Sequence, residues 1–519
     1  MELFSNLALG FSEAFSPATL LYCFAGVFLG TLIGVLPGIG ALATISLLLP
    51  ITYHMTPATA IIMLAGVYYG ASYGGSTASI LLNLPGTPSA AVACLDGYPM
   101  SKQGRAGVAL FITTVASFVG ALLGLLIMAA FTPSIAELGL KFGPAEYFAM
   151  MLLGLIAAST IATGNPVKGI AMVVLGLLLG MVGTDVNTGV ARYSFDVPEL
   201  TDGINLVALA MGIFGISEVI NSINQIHRGR AEKITFRSMA PTREDTRRVV
   251  APILRGAGVG SFFGALPGTG SSIASFMSYA MEKKVAKEPD RFGKGAIEGV
   301  AAPEAANNAA VQTAFVPTLS LGIPGDAVMA LMLGALIIHG IQPGPMMITE
   351  QPQLYWGLIA SFIIGNVMLV VLNIPLIGLW VSLLRIPYNI LFPAVLVFIC
   401  LGVYSVNNNT FDVYMVAFIG VVGYLMMLFR MEAAPLLLGF ILGPMMEENL
   451  RRALLLSRGD AMVFVERPIS ASLLAFGALL LLWSFWSSLR TRGTVRAQAA
   501  GVAQPEPQPP RPPERRQGA

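Results

Sequence analysis

Charge is what this sequence has least of. Of 519 residues only 11% are Asp, Glu, Lys or Arg, 30 basic against 28 acidic. A soluble protein carries roughly 25%, so most of this surface does not face water. The net charge of +2 is too small to point to nucleic acid as a partner. Cysteine is scarce too: Cys23, Cys94 and Cys400 lie far apart in apolar stretches, which excludes a disulfide framework. His54, His227 and His339 are equally scattered. With no HExxH stretch and no nucleophile–base constellation, neither a metal centre nor a hydrolytic enzyme is expected, and without GxxxxGK[ST] no ATP site is expected. Residues 1–16 are acidic ahead of the first apolar run, unlike a cleavable signal peptide.

What is abundant is apolar. Hydrophobic residues make up 55% of the chain and the mean hydropathy is +0.74. Runs of about 20 such residues recur, enough to cross a hydrocarbon core of roughly 30 Å. Lipid offers the backbone no hydrogen bonds, so such runs fold as helices. The short alternating segments of a β-barrel are missing. The fold class is therefore an all-α polytopic membrane protein with about 10–12 transmembrane segments. Spanning or broken segments are expected at 18–53, 58–82, 107–131, 145–163, 167–189 and 203–222. The second set is 251–282, 295–321, 326–341, 354–381, 387–405, 410–430, 434–446 and 469–487. Pro37 and Pro267 interrupt the first segment of each set.

Loop charge orients these segments. The stretch 223–250, with Arg228, Arg230, Lys233, Arg237, Arg243, Arg247 and Arg248, is the most basic loop and is expected in the cytoplasm. Loops 100–106 and 164–168 fall on the same side by alternation, and 132–144 and 190–202 on the other. The next basic stretch, 283–294, also belongs inside. Only 251–282 separates it from the previous inside loop, too little for two full spans. A re-entrant hairpin that enters and leaves on one side satisfies both constraints. The chain thus divides into an N-terminal repeat (1–250), a C-terminal repeat with a final helix (251–489) and a disordered Pro/Arg-rich tail (490–519).

The hairpin tip has a twin. LGTLIGVLPGIG at 29–40 matches VGSFFGALPGTG at 259–270, and LLNLPGTP at 81–88 matches SLGIPGDA at 320–327. Loop charge is opposite in corresponding places: 283–294 is basic while the segment around His54 is not, and 100–106 is basic while 342–353 is not. Opposite bias implies inverted-topology repeats, a common transporter design. Inversion makes 434–446 a crossing; the Arg-rich 447–467 favours a dip and return instead, and both remain open at this stage.

Pro-Gly breaks free backbone groups that lipid does not satisfy, so they persist around a protected cavity. A broken helix also presents an N-terminus that attracts anions. Four breaks, two per repeat, meeting near the midplane make an anion site with alternating access. The substrate-binding candidates are Pro37, Gly38 and Gly40; Asn83, Pro85, Gly86 and Thr87; Gly268, Thr269, Gly270, Ser271 and Ser272; and Gly322, Pro324 and Gly325. PEAANNAAV at 303–311 places Glu304, Asn307 and Asn308 on one helical face. A glutamate there repels a carboxylate, so Glu304, Asn307, Asn308 and Asp326 are candidates for a coupling cation, Na⁺ or H⁺. A passive anion channel or a membrane-embedded enzyme is the alternative class.

These motifs resemble the large membrane subunit of tripartite tricarboxylate transporters, the TctA family. The similarity rests on LPGIG at 36–40, YGGSTASILLNLPGTP at 73–88, LDGYPMSKQGRAG at 95–107, LPGTG at 266–270, PEAANNA at 303–309, LGIPGDA at 321–327 and HGIQPGP at 339–345. It extends from about residue 18 to about 445. The resemblance implies a bacterial inner-membrane permease that works with a small TctB-like membrane subunit and a periplasmic TctC-like binding protein. It implies import of citrate or a related organic acid driven by an ion gradient, with no cofactor.

Overall fold

Lipid solvent and proline placement together set where helices start. Pro17, Pro57, Pro144, Pro166, Pro352 and Pro468 each open a helix, where the missing N–H is no loss. The computed structural model describes residues 2–36, 40–161, 166–185, 188–223, 234, 236–266, 268–384 and 388–501. Pro37, Gly38, Pro267, Arg228, Arg230 and Lys233 lie outside the described residues, as does the tail from 502 onward.

The described residues are almost wholly helical. The first half holds α1 (Glu2–Ala14), α2 (Pro17–Val35), α3 (Ala41–Thr52), α4 (Pro57–Leu82), α5 (Ala93–Lys102), α6 (Ala106–Gly139), α7 (Pro144–Ile161) and α8 (Pro166–Gly180). A short antiparallel pair follows, β1 (Gly183–Thr184) with β2 (Ala191–Arg192). Then α9 (Leu206–Ala210) passes through a π-helical turn, Met211–Ile216, into α10 (Ser217–Ile223). The second half holds α11 (Arg243–Gly264), α12 (Gly270–Val285), α13 (Glu298–Thr313), α14 (Phe315–Leu321), α15 (Ala327–Ile338), α16 (Met347–Glu350), α17 (Pro352–Asn373) and α18 (Ile377–Leu383). It ends with α19 (Tyr388–Asn407), α20 (Thr410–Leu428), α21 (Ala433–Leu456), α22 (Val463–Glu466) and α23 (Pro468–Gly501). Among the described residues five helices, α2, α6, α17, α20 and the part of α23 up to Trp486, are long and apolar enough to cross a membrane. Broad apolar faces stay uncovered on α20 (Tyr414, Phe418) and α23 (Leu482, Trp483), as lipid-facing helices require.

Several boundaries depart from expectation for visible reasons. The expected segment 167–189 stops at Gly180, because Gly183 at φ +114° turns the chain into β1. The expected tail start at 490 is instead helix up to Gly501; the Ala- and Arg-containing stretch after 490 has good helix propensity. The helices α1 and α5 were not expected, being too polar or too short to read as spans.

The two matched glycine motifs pack alike. Gly26, Gly30 and Gly34 set α2 directly on the backbone of Met63, Val67 and Ala71 in α4. At the matching places Gly256, Gly260 and Gly264 set α11 on Ala302, Ala306 and Ala310 of α13. Small residues at four-residue spacing give one face without side chains, so the helices touch backbone to backbone. The second arms differ. The helix α12 folds back along α11, with Glu282 paired to Arg255 at 2.7 Å, whereas α3 leans away onto α9, α15 and α19.

The loops sort to two ends. Arg105 pairs with Asp245 at 2.6 Å, Arg248 reaches Glu288 and Glu298, and Gln103 donates to the Lys294 carbonyl at 2.8 Å. These contacts join the 100–106, 236–250 and 283–294 stretches, which loop charge assigns to one side. At the other end Arg451 pairs with Asp185 at 2.8 Å, Arg192 with Glu447 at 2.8 Å, and Arg467 with Glu146 at 2.5 Å. The 447–467 stretch therefore sits with 143–146 and 183–192. The continuous α21 runs parallel to α8, as Gly176 on Leu436 and Gly180 on Phe440 require, so 434–446 does not fold back on itself.

Asp96 of α5 ties the base of the second half. Its fully buried carboxylate accepts the N–H groups of Gly293, Gly295 and Ala296 at 2.8 Å each and the Tyr279 hydroxyl at 2.9 Å.

Candidate functional site

The chain breaks meet. A cavity of about 710 Å³ is lined by Gly40–Ala43 at the start of α3 and by Gly268–Ile273 at the start of α12, equivalent positions in the two copies. The second motif contributes in the same paired way, Pro85–Ser89 from one copy and Asp326–Val328 from the other. Tyr68 and Ser72 of α4, Phe214, Glu218, Glu432 and Pro435 complete the wall. Its size suits a small organic molecule with water or ions.

Each break has a local cause. Asn83 closes α4 at φ 58° and Gly322 closes α14 at φ 71°, both left-handed, so the chain reverses there. Both sit at matching places in the repeat. Three residues further on, Gly86 fits only because it has no side chain: a Cβ would strike the Gly34 carbonyl. Its counterpart Gly325 faces the Gly264 carbonyl less tightly, 3.3 Å from where a Cβ would sit, and its own carbonyl accepts the Gly268 N–H at 2.8 Å. Next come the caps. The Ala90 N–H donates to Thr87 Oγ1 at 3.4 Å, and the Met329 N–H to Asp326 Oδ1 at 2.8 Å.

Three helices of 12 residues or more, α3, α12 and α15, thus point their N-termini at the cavity. The caps of α3 and α12, Gly40 and Thr269, accept nothing through a side chain. Their first N–H groups remain available to an anion. Asp326 is used differently: besides capping α15 it accepts the Tyr68 hydroxyl at 2.5 Å. No Lys, Arg or His is among the described residues of the wall, and its charged side chains are Asp326, Glu218 and Glu432.

Of the substrate-binding candidates, Gly40, Pro85, Gly86, Thr87, Gly268, Thr269, Gly270, Ser271 and Ser272 line the cavity, as does Asp326. Asn83, Gly322, Pro324 and Gly325 do not; they shape the turns behind the wall. Tyr68, Ser72, Glu218 and Glu432 escaped sequence reasoning. A signal existed for the first two: Tyr68, Ser72 and Ser76 recur every four residues in an otherwise apolar helix, hence on one face. Glu218 follows the π-helical turn, which shifts the helix register in a way the sequence does not announce.

Glu304, Asn307 and Asn308 form a second, separate cluster. Glu304 is buried in α13 and accepts the hydroxyls of Ser76 on α4 and Ser117 on α6, the latter at 3.2 Å. Asn308 donates to Ser117 Oγ at 2.7 Å. Neither end of the Asn307 and Gln312 amides finds a partner, nor does Asn308 Oδ1, although all three residues are buried. Each such group costs about 1–3 kcal/mol. The stripe Tyr68–Ser72–Ser76 links the two sites, since eight helical residues rise about 12 Å from the Asp326 contact to the Glu304 contact.

Comparison with known proteins accords with this geometry. The model of the tripartite tricarboxylate transporter TctA family matches residues 20–438. An "uncharacterized 52.8 kDa protein in TAR-I ttuC' 3'region" of Agrobacterium vitis is 52% identical over 492 residues, covering 95% of this chain and 98% of that protein. An "uncharacterized protein in TAR-II ttuC' 3'region" of the same organism is 57% identical over 233 residues, covering 45% of this chain and 96% of that one. No solved structure matches significantly. With a family match that takes in both copies of the repeat and the whole cavity wall, the chain belongs to the tripartite tricarboxylate transporter TctA family.

Proposed function

We propose that this chain is the transmembrane pathway of a secondary, binding-protein-dependent importer of a small organic acid anion with two or three carboxylates, such as citrate. The carrying observation is that both copies of both helix breaks line one cavity and aim three helix N-termini into it. Each N-terminus acts as about half a positive charge. A carboxylate is held there by backbone N–H groups and by Thr87, Ser271 and Ser272, with no buried basic residue needed.

Electrostatics then asks for a cation. Three N-termini supply about +1.5 charges, fewer than Asp326 and a substrate with two or three carboxylates carry together. Like charges about 5 Å apart repel by about 3 kcal/mol at an effective dielectric near 20. A Na⁺ or H⁺ that travels with the substrate offsets this. Asp326 in the wall and the Glu304–Asn307–Asn308 cluster are the positions for it. In this reading the site is at the bilayer midplane of a bacterial inner membrane. A small membrane subunit and a periplasmic binding protein complete the system.

The test is uptake into proteoliposomes that hold this chain with its small subunit and binding protein, using labelled citrate and other organic acids. Saturable accumulation that collapses when the ion gradient is dissipated is expected. Linear flux unaffected by the gradient indicates a passive anion channel and overturns the proposal.

A further inference from the structure

The buried cluster around Glu304 has the composition of a metal-ion site. We infer that Ser76, Ser117, Glu304 and Asn308, with the amide of Asn307, bind one dehydrated alkali-metal cation of Na⁺ size, at a site distinct from the substrate cavity. This deepens the gradient-driven reading above and rests on it for its role in transport, though the binding itself does not require transport.

Charge balance comes first. Glu304 is 2% exposed and its partners among the described residues are the two serine hydroxyls, with no basic side chain engaged. A buried lone negative charge needs a positive one. A monovalent ion cancels it, whereas a divalent ion leaves an excess.

The oxygens decide between a metal and a proton. A proton on Glu304 answers the carboxylate alone. It does nothing for Asn308 Oδ1 and Asn307 Oδ1, which are buried and lack donors among the described residues. Glu304 and Asn308 stand four residues apart on one face of α13. Asn308 is already turned into the cluster by its bond to Ser117. Hard cations without strict geometry take such mixed carboxylate, amide and hydroxyl oxygens. The Asn307 amide, buried and unpaired beside Asn308, is a further oxygen donor for the ion.

The cluster also spans the repeat. Ser76 and Ser117 come from the first half, and Glu304, Asn307 and Asn308 from the second. An ion here joins α4, α6 and α13, and α4 is the helix whose Tyr68 and Ser72 face the cavity. Occupancy is therefore sensed by the cavity wall without the ion touching substrate.

The test uses the purified full-length chain in detergent, at fixed pH and ionic strength, without substrate or partner subunits. Thermal unfolding and binding of radiolabelled sodium are followed as NaCl replaces choline chloride, with LiCl and KCl as comparisons. Saturable Na⁺ binding with a raised Tm is expected, weakened at least tenfold in Glu304→Gln and in Asn308→Leu. The second variant keeps the carboxylate and carries the test if the first does not fold. Absence of binding in the unaltered protein, a Na⁺ response equalled by choline or K⁺, or full affinity in both variants overturns the site. Gradient-driven uptake without sodium binding removes the site and leaves the transport proposal standing. Sodium binding in a protein that accumulates no organic acid does the reverse.

Discussion

At the scale of single residues, two glycines of the cavity wall separate shape from contact. Gly268 holds φ +82°, and a Cβ there meets the Ala158 nitrogen at 2.8 Å. An L-residue in that conformation costs about 1–2 kcal/mol before any clash. Among the described residues Gly40 has no neighbour within 4 Å of its Cβ position. Gly268→Ala is therefore expected to lower Tm and abolish uptake. Gly40→Ala is expected to fold and insert normally and to raise KM, because its methyl enters the cavity. Equal Tm for the two variants contradicts this assignment; so does an unchanged KM for Gly40→Ala. The glycines, Thr87 and the serines of the wall were legible because Pro-Gly breaks are local signals. Glu218 and Glu432 were not: each reaches the wall from an element whose placement depends on contacts distant in sequence.

At the scale of elements, glycine spacing sets how closely helices approach. Along α11, Gly256, Gly260 and Gly264 meet the α13 backbone, while Gly258 on the same helix has open space. Gly260→Leu is expected to separate α11 from α13 and to lower Tm by several degrees or prevent purification, since packed backbones do not yield to a new side chain. Gly258→Ala is expected to leave Tm level or slightly higher, as Ala is the better helix former by about 1 kcal/mol. Thermal unfolding in detergent checks both, and a larger loss at Gly258 refutes the packing scheme. The break near Pro267 was readable because two basic loops bracketed a segment too short for two crossings. The different course of α3 was not readable. ALATISLLLPIT is apolar on every side, so no stripe indicates which neighbours it prefers, whereas α12 ends in Glu-Lys-Lys and returns to the polar end.

At the scale of the whole molecule, the basic loops gather at one end and the 183–192 and 447–467 stretches at the other. With the basic end in the cytoplasm, a membrane-impermeant maleimide on intact cells is expected to label Arg458→Cys and to spare Lys284→Cys. Native cysteines are first replaced, since Cys400 is exposed. Labelling of Lys284→Cys alone reverses the orientation, and labelling of both contradicts the two-ended arrangement. Loop charge was sufficient to group 100–106 with 283–294, because a Lys or Arg excess is retained on one side whatever the helices do. It failed at 447–467. There Arg451 and Arg467 are taken up by Asp185 and Glu146, acidic partners that lie far away in sequence, so their presence says little about which side they occupy.

The Asp96 clamp has a mechanical corollary. One carboxylate from α5 holds three consecutive-region N–H groups of the strap that connects α12 to α13. The root of the second hairpin is thereby riveted to a helix of the other half. If the hairpin swings, its fulcrum lies above this rivet, in the arms and tip between Gly256 and Gly270, and α5 travels with the base as part of the same lever.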